Sequence, residues 1–200
     1  MTTIALDTGF QNLFDTDAYK KNIQDKASKV VRKISSAVYD AMMVGSESLQ
    51  FELDEKFDKK VKAANKELTT INTALISLIS LYPSAYRAVN KCIDNALVGD
   101  KKLDEKGHVA VQVSFICDLC ALTAKQARQA RNQIDSSNIN RLVLLESIVQ
   151  LALLEKNLTQ IFEEVQELGE RIEIHDALTE RPVKAEDHPL FKDLLGSAHA

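Results

Sequence analysis

At 200 residues the chain is long enough to bury a core of its own, removing roughly 70% of its unfolded surface from water. A formal net charge of −4 gives no global pull toward nucleic acid, and three cysteines (Cys92, Cys117, Cys120) are too few and too odd in number for a disulfide framework. The absence of tryptophan, with only six glycines and three prolines, leans the composition toward helix.

The segment 1–14 begins Met1-Thr2-Thr3-Ile4-Ala5-Leu6-Asp7, with neither a basic stretch nor an apolar one. A cytoplasmic protein is therefore expected, with secretion by a non-classical route left open. The first helix is predicted from a cap at Asp15 or Thr16 to Val44, with Tyr19, Ile23, Ala27, Val30, Ile34, Val38 and Ala41 on one face and Gly45 as its stop. Its other face carries Lys20, Lys21, Lys26, Lys29, Arg32 and Lys33.

The second helix is predicted from about Glu47 to Tyr82, because Pro83 disfavours helical geometry in the residue before it. Phe57, Val61, Ala64, Leu68, Ile71, Leu75, Leu78 and Tyr82 alternate spacings of four and three, a heptad stripe that demands a partner helix. A short third helix follows from Ser84 to Val98, with Tyr86, Val89, Ile93 and Leu97 inward and Gly99 as terminator. The charged, glycine-bounded stretch 99–107 reads as a surface loop.

Val109 to Val113 alternates briefly as a strand would, but it has no strand to pair with. Val109, Val113, Ile116, Cys120, Ala124 and Ala127 continue at helical spacing, so a fourth helix is expected to end near Ile134. Ser136-Ser137-Asn138 is then expected to cap a fifth helix. Its frame is Leu144, Ser147, Leu151, Leu154, Leu158, Ile161, Val165, Leu168, Ile172 and His175, with a kink or break expected at Gly169. The tail 181–200 holds one or two turns of amphipathic helix, His188 to Gly196.

Two stretches stand out. Leu68 to Tyr86 contains no charged residue, and Leu142 to Leu154 is apolar nearly all round. Such helices lie centrally in a bundle or touch lipid. The helical part of the first, Leu68 to Tyr82, covers ~22 Å, short of the ~30 Å hydrocarbon core, and contains Thr69, Thr70, Asn72, Thr73, Ser77 and Ser80. Burial in protein is favoured.

Motifs with chemical precedent fail on context. Cys117-Asp118-Leu119-Cys120 lies inside a helix with no second ligand pair to complete a zinc site. Glu105-Lys106-Gly107-His108 has the Glu-x-x-His spacing of carboxylate-bridged di-metal bundles but straddles a glycine and has no sibling. No phosphate-binding glycine loop or nucleophile elbow is present. No catalytic, cofactor-binding or metal-ligating residue is therefore nominated, and no cofactor or small-molecule substrate is inferred.

Charge is segregated, with basic residues on the first helix and glutamates on the second half of the fifth. This predicts an all-α single domain, an elongated antiparallel bundle of about five helices with coiled-coil-like stripes. A non-enzymatic role through protein–protein interaction or homo-oligomerisation is expected. The candidate interaction surface is Lys26, Lys29, Lys33, Glu163, Glu167, Glu170, Phe191, Leu194 and Leu195. The rival readings are a membrane-active bundle exposing 68–86 to lipid and an enzyme without a recognisable motif.

Overall fold

A computed structural model describes residues 13–45, 55–97, 109–137, 139 and 141–180. Those residues are all-helical, with no strand among them. The chain enters α1 (Thr16–Tyr19), passes without interruption into a π-helical stretch (Lys20–Ala27) and continues as α2 (Ser28–Gly45). Then come α3 (Glu55–Ile79), α4 (Tyr82–Leu97), α5 (Val109–Ser136) and α6 (Arg141–Glu180). The cap expected at Asp15 is present, its carboxylate accepting from the backbone N–H groups of Asp17 and Ala18 at 3.0 and 3.1 Å.

Cross-helix bonds give the directions of the helices. Lys33 to Glu67 and Tyr19 to Tyr82 set the α1–α2 run antiparallel to α3 and α4. Arg128 to Glu155 and Cys117 to Phe162 set α5 antiparallel to α6. Ser28 to Gln126 and Ser35 to Gln133 pair α2 with α5 in the same direction, and α3 and α4 run parallel to α6. Not every neighbouring pair is therefore antiparallel. The 40 residues of α6 span ~60 Å at helical rise, and the helix packs against α3, α4 and α5 along its length.

Hydrophobic burial follows the sequence periodicity closely. Tyr19, Ile23, Ala27, Val30, Ile34, Val38 and Ala41 are buried, as are Phe57, Val61, Ala64, Leu68, Ile71, Leu75 and Tyr82, with Leu78 partly covered. On α6 the predicted frame is buried from Leu144 to Ile172, while the side chain of His175 lies outside the described set. Threaded through this core between α3 and α6 is a polar ladder. Ser147 Oγ donates to Asn65 Oδ1 at 2.8 Å, Asn72 Nδ2 to Gln150 Oε1 at 2.9 Å, and Asn157 Nδ2 to Asn72 Oδ1 at 3.3 Å. A one-turn slip of either helix would leave these buried groups unpaired, so the ladder selects one register.

Several expectations are corrected. The second helix ends at Ile79, not Tyr82. Ser80 and Leu81 form a turn, and Tyr82 and Pro83 open α4. Proline suits a first helical turn, where its missing N–H has no intrahelical acceptor to satisfy. The hydroxyls of Ser136 and Ser137 bond back to the carbonyls of Gln133 and Ile134 and so close α5, while Asn138, the third residue of the expected cap, lies outside the described residues. Gly169 does not break α6, which runs on from Arg141 to Glu180. It is buried, and a Cβ there would meet Val113 Cγ2 at 2.9 Å, so glycine lets α5 approach α6 closely.

Neither apolar stretch is buried all round. Ile76 is 49% exposed and Leu145 and Val149 are each 53% exposed, because core contacts cover only one side of each helix. The loop 99–107, the tail helix with Phe191, Leu194 and Leu195, and Glu105 and His108 lie outside the described residues.

Candidate functional site

The π-helical stretch of the first helix and the uncharged half of α3 form the two walls of a groove of about 820 Å³. In the π-helical stretch the Ser28 N–H reaches back five residues to the Ile23 carbonyl instead of four. Such wide turns are rare and recur at functional sites. The buried side chains of Tyr19, Ile23, Ile71 and Leu75 form the floor. On the α3 side the exposed residues Thr70, Ala74 and Ser77 are short, which keeps that wall low, and from Glu67 to Leu78 the wall spans ~16 Å. Leu81 closes one end, and the Lys33–Glu67 ion pair at 3.1 Å crosses the other.

Lys26, Lys29 and Lys33, nominated from the sequence, all line the opposite wall. Lys26 Nζ donates to the uncharged Asn22 amide oxygen at 3.0 Å, and Lys29 lies 3.4 Å from Asp25 with both groups well exposed. Exposed pairs of this kind contribute little, so these ammonium groups stay available to an incoming anion.

The α3 wall has a property that composition alone did not reveal. Thr70 and Ser77 on this wall each donate a hydroxyl proton to the carbonyl four residues earlier, both at 3.1 Å, as Thr69 and Thr73 do outside the groove. Beyond Glu67, covering this face removes no charge from water and leaves no hydroxyl without an acceptor. The lack of charge from Leu68 to Tyr86 was the available signal for it.

The nominated glutamates sit elsewhere. Glu163, Glu167 and Glu170 are exposed on α6, where Glu167 accepts from Arg171 at 2.7 Å and Glu170 from Gln166 at 3.3 Å. Arg171 also bonds Asn90 at 2.8 Å and lies 5.0 Å over the Tyr86 ring, tying α6 to α4. The fold thus gathers the lysines into the groove and places the glutamates on a separate face. At the end of α5, Arg128 bonds Glu155 Oε1 at 2.6 Å, and Arg131 contacts Oε2 at 3.0 Å as an ion pair without hydrogen-bond alignment.

Burial suppresses the acidity of Tyr19, Tyr82, Cys117 and Cys120. The Tyr19 and Tyr82 hydroxyls share a buried hydrogen bond of 2.9 Å, and desolvation pushes both well above the usual phenol range. Burial pushes the Cys120 thiol up to about 12, with Cys117 adding to the effect. Cys117 is raised by burial and by Asp118, and its Sγ lies 3.8 Å from the Phe162 carbonyl oxygen. Among the described residues no group of three His, Cys, Asp or Glu side chains is placed to hold a metal ion, and no helix is long and apolar enough to cross a membrane. Comparison with protein families, with curated proteins and with solved structures returned no match.

Proposed function

We propose that this chain is a non-enzymatic, cytoplasmic helical-bundle protein that works by helix-to-helix interaction, with a partner protein or with copies of itself. In this reading the bundle is elongated and its apolar stripes pack in coiled-coil fashion. The observation that carries it is the groove, whose uncharged wall can be desolvated at low cost and whose lysine edge faces solvent. The reading gains support from the Cys117 and Cys120 thiols and the buried phenols of Tyr19 and Tyr82, which are driven toward their neutral, unreactive forms.

The test is isolation of the intact protein from its native cell together with light scattering of the purified chain across a concentration series. A stoichiometric protein partner or a defined homo-oligomer is expected. A chain that stays monomeric with no protein partner, while retaining a small molecule through purification, would refute the proposal.

A further inference from the structure

We infer that the groove between the π-helical stretch and α3 is the docking site for an amphipathic helix of another protein, apolar along its inner side and acidic along the edge that meets Lys26 and Lys29. Such a partner is a specific case of the helix-to-helix interaction proposed above.

The groove's chemistry selects this occupant over the alternatives. Lys26, Lys29 and Lys33 outnumber Asp25, the one carboxylate on their wall, whereas the facing wall of Thr70, Ala74, Ser77 and Leu78 carries no charge above Glu67. A partner helix with acids on both edges would gain on one side only. One with acids on a single edge gains at the lysines and loses nothing at the hydroxyl wall, whose protons are already donated to backbone carbonyls. The lysine stems add apolar surface while their ammonium groups reach the acidic edge.

Shape separates the remaining occupants. A membrane surface is met by protruding apolar side chains on a helix face, whereas here the large apolar groups Ile23, Ile71 and Leu75 are recessed and buried, with Leu81 exposed only at the groove's end. A small ligand is enclosed over most of its surface, but Thr70, Ala74, Ser77, Lys26 and Lys29 are all exposed along an open trough. A second copy could offer its acidic α6 face. From Lys156 to Glu173, however, every exposed residue of α6 is polar, and Ile174 is a single exposed apolar side chain after them, so that face brings no apolar ridge to fill the groove. A helix laid lengthwise, with anchors at i, i+3, i+4 and i+7, matches an open apolar trough.

The experiment uses the full chain and two synthetic helical peptides of about 16 residues, ~24 Å long, with leucines along one side and either glutamates or lysines along one edge. Binding is read by fluorescence anisotropy at low and moderate salt. The glutamate-edged peptide should bind one to one and lose affinity with salt. Lys26→Glu combined with Lys29→Glu should weaken it about tenfold or more and transfer preference to the lysine-edged peptide. Ala74→Trp, at an exposed position, should block binding while leaving the thermal melt unchanged.

Equal binding of both peptides, or binding indifferent to these variants, would overturn the assignment. So would capture of phosphatidylglycerol vesicles or of a long-chain fatty acid at the same residues in preference to the peptide, or loss of self-association in Ala74→Trp, which would make a second copy the occupant. If a protein complex forms but is unaffected by Ala74→Trp, the groove assignment fails and the broader interaction proposal stands. If no protein complex forms at all, the broader proposal fails too.

Discussion

Gly169 is the position where one methyl group should reveal how tightly the two longest helices pack. A Cβ at this buried site would come 2.9 Å from Val113 Cγ2 and 3.2 Å from Cγ1. Valine in a helix is confined largely to one χ1 rotamer, so it cannot swing aside, and the strain passes to the α5–α6 separation. Overpacking of this kind costs ~1–3 kcal/mol, while replacing a helical glycine with alanine returns ~1 kcal/mol of backbone propensity. Gly169→Ala should therefore be neutral to destabilising by ~2 kcal/mol. In a Val113→Ala background the clash disappears and the same change should stabilise by up to ~1 kcal/mol. Urea denaturation of the four proteins gives the coupling between the sites, expected at ~1–3 kcal/mol. If Gly169→Ala stabilises equally in both backgrounds, the close approach of α5 and α6 is wrong.

Leu75→Ala and Leu151→Ala, at sites 3% and 0% exposed, should each cost ~2–5 kcal/mol in chemical denaturation, whereas the neighbouring Ile76→Lys should stay within about 0.5 kcal/mol. A collapse of the Ile76 variant would mean that α3 is covered on its outer side. Asn72→Ala removes the partner of both Gln150 and Asn157, and a loss of ~1–3 kcal/mol is expected; no loss would show that the ladder does not hold the register. Cys117 and Cys120 should label slowly with a thiol reagent in native protein and quickly in urea. The folded Cys120 pKa, about 12, lies above its ordinary value of 9.0, so its contribution is complete below pH 9 and declines as pH rises toward 12. Denaturation measured from about pH 8 to pH 10 should show stability falling with pH, less steeply in Cys120→Ala; identical slopes would contradict the buried neutral thiol.

Helix content and the inward face of each helix were legible in the residues because both depend on a local period. Tyr19 through Ala41, Phe57 through Leu75 and Leu144 through Ile172 recur at helical spacing, and burial follows that spacing. The same local logic recognised the Asp15 cap and the lysine row on the first helix. At Pro83 it placed the break but assigned Tyr82 to the wrong helix. Proline's cost before a helix and its suitability in a first turn are both local, and here the Tyr82 hydroxyl bonds Tyr19 across the core.

What only the tertiary structure decided is which faces meet and which stay open. Asn65, Ser147, Asn72 and Gln150 are ordinary polar interruptions until α3 and α6 lie parallel at a separation of about 80 residues in sequence, because a hydrogen bond reports distance and not periodicity. The uncharged run from Leu68 read as core because its composition is uniform around the helix. Packing covers only the side that has neighbours, so Ile76 and Ala74 remain exposed and the hydroxyls turn to their own backbone. The lysines were visible as charge, but the groove they edge exists only because the first helix and α3 pack antiparallel with short side chains between them, a relation between chain segments that no single helix encodes.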